Sequence, residues 1–229
     1  MKVSIVIPTM NEENSIGETL DRIPRDFAEL DIMIVDTNSK DRTREIAVSK
    51  GARVVEEPRR GYGRAYKTGF AAAKGDVIVT LDGDTTYPPE IIPKLVSTLE
   101  KENLDFITTD RLTRMEEGAM NTTHKVGNKV LVITMNILFR MKLKDSQSGM
   151  WCFRKSILPK LELTSNEMAL SEEIKVEAWR KGFQCKEIPI KYEVRQGEVK
   201  LNTWKDGINN ELFLIKKRLG LTKKKSKRK

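Results

Sequence analysis

Three apolar runs constrain the fold more than any other feature: SIVIP from Ser4 to Pro8, IMIVD from Ile32 to Asp36, and VIVTLD from Val77 to Asp82. Each run is nearly continuous, whereas a strand with one wet face alternates apolar and polar residues. Continuous runs mark parallel strands covered on both faces by helices. The segments between them carry apolar residues three and four apart, the helical period. The pattern predicts strands over Lys2–Pro8, Asp31–Asp36, Arg53–Glu56, Asp76–Asp82 and Asp105–Thr109. Helices are expected over Ser15–Ile23, Arg42–Lys50, Arg64–Lys74 and Glu90–Lys101. Such alternation implies an α/β fold with a mostly parallel, doubly wound sheet and helices on both faces.

The second half is less regular. A helix is expected over Lys125–Leu143, and DSQSGMWCFRKSIL reads as a loop, a strand and a short helix. SEEIKVEAWRKG reads as an amphipathic helix ending at Gly182, CKEIPIKYEV as a strand, and Trp204–Leu219 as a last helix. No Gly-, Pro- or Ser-rich linker and no repeat divides the chain, so one domain is expected over about 1–220. At 229 residues it is long enough to bury a sizeable core. The net charge of +9 is concentrated at the end, with six Lys and Arg in the last seven residues. That tail, about 221–229, reads as basic and disordered, or as attracted to an anionic membrane surface or nucleic acid. The longest apolar stretch, Val130 to Phe139, is too short to span a bilayer. Two cysteines form no disulfide framework, so a reduced cytoplasm is the natural setting, and one histidine, His124, excludes multi-histidine metal sites.

Ligands of doubly wound sheets bind outside the carboxyl ends of the strands. Four polar clusters fall there: PTMNEE, VDTNSKDRT, DGD and TTDR. Each alone could be a helix cap or turn. DGD places Asp82 and Asp84 around Gly83, a compact hard-oxygen pair suited to Mg²⁺ or Mn²⁺ shared with substrate phosphates. Gly83 is expected to permit close approach and an unusual backbone angle. GYGRAYKTG lacks the ending of a phosphate loop. It reads as a tight turn capping a helix, with Arg64 and Lys67 adding positive potential.

VIPTMNEENSI, VDTNSKDRT, GYGRAYKTGFAAAKGD and LDGDTTYPPE, in this order, resemble the nucleotide-sugar half of glycosyltransferase family 2. DSQSGM and EIPIKYEVRQGEVKLN resemble its dolichyl- and polyprenyl-phosphate sugar synthase branch, and together the likeness spans about Lys2 to Lys205. The resemblance implies the GT-A fold, a single-domain, Rossmann-like sheet. Its nucleotide-sugar half would cover about 1–112 and its acceptor half about 113–220. Pro8, Asn11 and Glu12 would line the nucleotide pocket, with Val35, Asp36 and Thr37 beside the base. Asp82, Gly83 and Asp84 would meet the donor pyrophosphate, with Asp82 and Asp84 holding the metal. Arg111, Arg195 and Lys200 match basic positions that hold phosphates, and Asp84, Arg195 and Lys200 would serve catalysis. Glu172 and Glu173 stand where many members carry an acidic base, although an amphipathic helix could equally use them structurally. Met10, Thr37, Gly83 and Thr86 depart from common family residues, which leaves the donor open among UDP-GlcNAc, UDP-Glc and GDP-mannose.

The expected reaction is inverting transfer of one sugar from such a donor to a dolichyl or polyprenyl phosphate. The expected place is the cytoplasmic membrane face, bound peripherally. The nearest alternative is a family 2 transferase acting on a saccharide or protein hydroxyl, which would need a general base. A sugar-nucleotide pyrophosphorylase is expected to open with a Gly-rich, Arg-containing loop, which PTMNEEN is not. A basic nucleic-acid-binding module is the distant alternative. Acids crowd the expected ligand edge and no aromatic stacking motif is present, so no nucleic acid partner is expected.

Overall fold

The computed structural model describes residues 1–196 and 203–222. Its strands are β1 (Lys2–Thr9), β2 (Glu29–Asp36), β3 (Arg53–Glu56), β4 (Val77–Thr80), β5 (Phe106–Met115), β6 (Trp151–Arg154) and β7 (Cys185–Tyr192). The helices are α1 (Ile16–Asp21), α2 (Thr43–Ser49), α3 (Tyr62–Ala72), α4 (Ile92–Lys101), α5 (Thr122–Phe139), α6 (Leu170–Arg180) and α7 (Thr203–Arg218). The strands form one sheet in the order β3-β2-β1-β4-β6-β5-β7. Parallel pairing joins β1 to β2 and β4, β2 to β3, and β5 to β7. β6 is antiparallel to both neighbours and separates β4 from β5. Its four residues, WCFR, carry no directional signal in the sequence.

Burial accounts for the continuous runs. Val3, Ile5, Val6 and Ile7, Ile32 to Val35, and Val77 to Val79 are all at most 5% exposed. One face of β1 sends Val3, Ile5 and Ile7 into a core shared with Ile16 and Leu20 of α1 and Leu95 and Leu99 of α4. The other sends Val6 against Ala65, Tyr66 and Phe70 of α3, in a core that includes Leu170 and Ile174 of α6. Gly69 lets α3 approach this face, since a Cβ there would lie 2.3 Å from Val6 Cγ1. The polar exception is satisfied: Ser4 Oγ donates to Asp31 (2.8 Å) and accepts the Gly75 amide (2.8 Å).

A third core lies under α5, α6 and α7, around Leu131, Val132, Met135, Val176 and Leu214. α5 stops at Phe139, short of the expected Leu143, for a local reason. Arg140 takes a left-handed φ of 55°, and the Asn136 side chain exchanges two hydrogen bonds with the Leu143 backbone (2.8 and 3.0 Å). Lys217 Nζ fastens α7 to α6 through Glu173 (2.9 Å) and Glu177 (2.8 Å).

Candidate active site

The loops after β1 and β2 are bonded to each other. Asn11 Oδ1 accepts the Lys40 amide (2.8 Å), and the Glu12 amide donates to Thr43 Oγ1 (2.8 Å). Asp36, at the end of β2, accepts the Ser39 amide on Oδ2 (3.0 Å). Its buried Oδ1 has no hydrogen-bond partner in the protein. A buried acceptor in that state calls for an incoming donor.

Beside these loops opens a cleft of about 330 Å³. Five lining residues are acids, Glu12, Asp82, Asp84, Glu167 and Asp206, against two arginines, Arg60 and Arg195. Such an excess of negative charge would repel a diphosphate unless a cation accompanied it.

β4 ends at Thr80, so both aspartates lie beyond the strand, in a turn. Asp84 Oδ1 accepts the Thr86 amide (3.1 Å) and hydroxyl (2.6 Å), and its Oδ2 faces Arg195 Nη1 at 3.1 Å. The unusual backbone angle expected at Gly83 belongs instead to Thr85, whose φ is +66°. A β-branched residue held there costs about 1–3 kcal/mol, a strain typical of functional turns. Gly83 serves close packing: its carbonyl accepts Ser15 Oγ (2.7 Å), and a Cβ would press on Thr9 at 3.3 Å. The Tyr66 hydroxyl donates to Asp82 Oδ1 (3.2 Å). Burial, reinforced by the Asp84 charge, pushes the Asp82 carboxyl up to about 7, with Arg195 opposing the rise. Arg195, and to a smaller extent Arg111, offset the charge of this carboxylate pair. Among the described residues no cluster of three or more His, Cys, Asp or Glu is placed to hold a metal. Two hard-oxygen carboxylates fit Mg²⁺ or Mn²⁺, which commonly leave other positions to substrate phosphates and water.

The backbone brings Arg195 to this turn. The Glu193 amide donates to the Thr86 carbonyl (3.0 Å) and the Gln196 amide to the Asp84 carbonyl (3.1 Å). The segment after β7 thus runs beside the turn. Arg195 Nη2 also lies 3.6 Å from Glu12 Oε1.

A second cavity, about 210 Å³, adjoins the cleft and shares Met168, Arg195 and Asp206 with it. Arg111, His124, Gln147 and Tyr192 are among its other lining residues. Arg111 is held by a two-pronged pair with Asp145, Nε to Oδ2 at 2.7 Å and Nη2 to Oδ1 at 2.9 Å. Burial alone would raise Asp145, but the Arg111 charge and hydrogen bonds bring it down to about 2. Asp145→Ala is expected to destabilise the fold by about 3–5 kcal/mol, because it leaves a buried guanidinium unpaired. Urea denaturation checks this. Since the folded value lies below the unfolded one, the Asp145 contribution is complete above about pH 4 and is lost as pH falls toward 2.

Of the residues anticipated from the resemblance, Pro8, Glu12, Thr37, Asp82, Gly83, Asp84 and Arg195 line the cleft. Asn11 lies in an outer depression with Lys40, and Val35 packs into the core against α3 because its strand position points inward. Arg111 lies in the second cavity. Glu172 and Glu173 are fully buried and line neither cavity. Glu173 is engaged by the Thr164 and Ser165 amides (2.8 Å each) as well as by Lys217. Glu172, pushed well above its ordinary value by burial, accepts Gln147 Nε2 (2.6 Å) and so orients a cavity residue. Lys200 and the basic run 223–229 lie outside the described residues. Lys67 bonds Asn166 (2.6 Å) away from the cleft, where Arg60 supplies the charge that Arg64 and Lys67 were expected to add. Sequence reasoning missed Tyr62, Tyr66, Glu167, Met168, Gln147 and Asp206. The two tyrosines had a signal, four residues apart at the start of a helix on the ligand edge.

The family model described as glycosyl transferase family 2 matches residues 4–161. The chain belongs to this family. It is similar to the dolichyl-phosphate hexose transferase of Haloferax volcanii, 36% identical over 90% of this chain and 89% of that one. It is also similar to the low-salt glycan biosynthesis hexosyltransferase of the same organism, 33% identical over 93% of this chain. The chain spans only 53% of that second relative's length. The structure of glucosyl-3-phosphoglycerate synthase from Mycobacterium tuberculosis, in complex with Mn²⁺, UDP and glucosyl-3-phosphoglycerate, superposes with a TM-score of 0.78 at 21% identity. It covers 96% of this chain and 80% of the other. The fold is therefore GT-A, as the resemblance implied.

Proposed function

We propose that this chain transfers one hexose or N-acetylhexosamine, with inversion, from a nucleotide sugar to a dolichyl or polyprenyl phosphate. It would act from the cytoplasmic face of the membrane. The donor half is about 1–112 and the acceptor half about 113–220. One observation carries the reading: Arg195 lies in the wall of both the acid-rich cleft and the adjoining cavity, where Arg111 and His124 add basic groups. The similarity to a dolichyl-phosphate hexose transferase supports it, and the complex of the fold relative with Mn²⁺ and UDP supports a metal-assisted nucleotide site.

In this reading a phosphate oxygen of the acceptor attacks the anomeric carbon. The new C–O bond forms as the bond to the donor's β-phosphate oxygen breaks, and the nucleoside diphosphate leaves. Asp82 and Asp84 would hold a divalent ion, which supplies charge stabilisation for the leaving diphosphate. Asp36, with its unpartnered Oδ1, would take an N–H of the base. A phosphate monoester, second pKa near 6, needs no base to ionise it; it needs cations to position it.

Incubation with labelled UDP-sugars or GDP-mannose, a polyprenyl phosphate and Mn²⁺, followed by lipid extraction, tests the proposal. Label in the lipid phase supports it; label only on added saccharides or protein overturns it. Asp206, the acid lining both cavities, is the base candidate for a hydroxyl acceptor. Asp206→Asn is expected to change lipid-phosphate transfer by less than about tenfold. A loss of about 10²–10⁴ would favour hydroxyl chemistry instead.

A further inference from the structure

α5 carries exposed Val126, Val130, Ile133 and Ile137, and α7 with its last turn carries exposed Ile208, Leu212, Ile215 and Leu219. Both sets have the spacing i, i+4, i+7, i+11, which draws one apolar ridge along a helix, about 16 Å long. The opposite sides of both helices enter the same core, through Leu131, Val132 and Met135 from α5 and Leu214 from α7. Thr134 Oγ1 meets Glu211 Oε1 (3.1 Å) between the helices. The two ridges therefore lie side by side on the face turned away from the core. Residues beside their first members, Gly127 and Gly207, line the second cavity.

We propose that the paired ridges of α5 and α7 are the surface by which this chain docks on an anionic lipid bilayer, an inference that rests on the proposed lipid acceptor only for its purpose. Charge selects the occupant. Lys125, Lys129, Arg140, Lys216 and Arg218 are exposed around the ridges. Residues 122–140 contain no acid, and Asp206 and Glu211, the acids of α7, are half-buried rather than exposed. Two copies meeting ridge to ridge would oppose like charges. An anionic bilayer accepts the cations at its headgroups and the apolar ridge just beneath them. The sequence beyond residue 222 continues with six more Lys and Arg.

The test is flotation with vesicles of phosphatidylglycerol and phosphatidylcholine, compared with phosphatidylcholine alone. The wild type is expected to float with the anionic vesicles, and less so as salt rises. Ile137→Asp with Leu212→Asp, at sites 72% and 48% exposed, is expected to lower partition at least tenfold while nucleotide-induced thermal stabilisation is kept. If circular dichroism shows a folding defect, the serine pair is used in its place. Transfer to a long-chain acceptor in vesicles should fall with partition, whereas transfer to a water-soluble short-chain acceptor should not. Undiminished flotation of the variant overturns the inference, as does a wild-type dimer that the substitutions dissociate, or loss of flotation on deleting 223–229 with none from the ridge variant. Failure of the wild type to glycosylate any lipid phosphate would sink the proposed function but leave the flotation result standing.

Discussion

Asp84→Ala is expected to abolish sugar transfer, by at least about 10³-fold, in a protein that still folds. Asp84 is tied through both carboxylate oxygens and its carbonyl. One oxygen is fixed by the Thr86 amide and hydroxyl, the other faces Arg195, and its carbonyl receives the Gln196 amide. Only the side-chain bonds disappear in the variant. The fold core lies in the layers beneath, so the melting temperature should move by a few degrees at most. What disappears with the carboxylate is one of the two protein oxygens that would hold the cation, in a cleft whose acids otherwise repel a diphosphate. Asp84→Asn separates charge from shape: it keeps a carbonyl oxygen for Thr86, yet should lose nearly as much activity. Thermal shifts with UDP and GDP, in Mn²⁺ and in EDTA, give a second readout. The wild type should respond to nucleotide more strongly with Mn²⁺, and Asp84→Ala should respond alike in both. Full transfer by the variant, or a wild type indifferent to Mn²⁺, would remove the metal from this account.

The doubly wound sheet was legible because burial on both faces leaves an unmistakable mark on strands such as Ile32 to Val35. β6 was harder, since four residues joined through an irregular loop say nothing of direction, and its antiparallel insertion between β4 and β5 depends on tertiary context. The Asp82–Asp84 pair was legible because it follows an apolar run at the ligand edge. Its supporting residues were not. Tyr66 reaches Asp82 from a helix sixteen residues earlier, and Asp145 holds Arg111 from thirty-four residues later. Glu172 and Glu173 show the converse: helical position suggested chemistry, but folding turned both carboxyls into the interior, where they orient Gln147 and clamp α7. Val35 likewise alternates inward on its strand while its neighbour Asp36 keeps a free acceptor at the strand end.

Arg195→Ala is expected to lower kcat/KM by about 10²–10³, and Arg195→Lys to restore only part of it. The guanidinium spans two acids, 3.1 Å from Asp84 and 3.6 Å from Glu12, and borders both cavities. A planar fork can bridge two oxygens of a phosphate, whereas an ammonium is a single flexible charge. The substitution also has an opposite effect that a merely structural residue would not produce. Arg195 is the cation that now offsets the repulsion between Asp82 and Asp84. Without it, the local potential that an incoming ion meets at the two carboxyls is more negative. Mn²⁺ alone should therefore bind Arg195→Ala as tightly as the wild type or up to about tenfold more tightly, while transfer collapses. Titration calorimetry with Mn²⁺, beside the transfer assay, reads the two effects separately. Weakened Mn²⁺ binding together with preserved transfer would mean that Arg195 organises the turn and takes no part in handling phosphate.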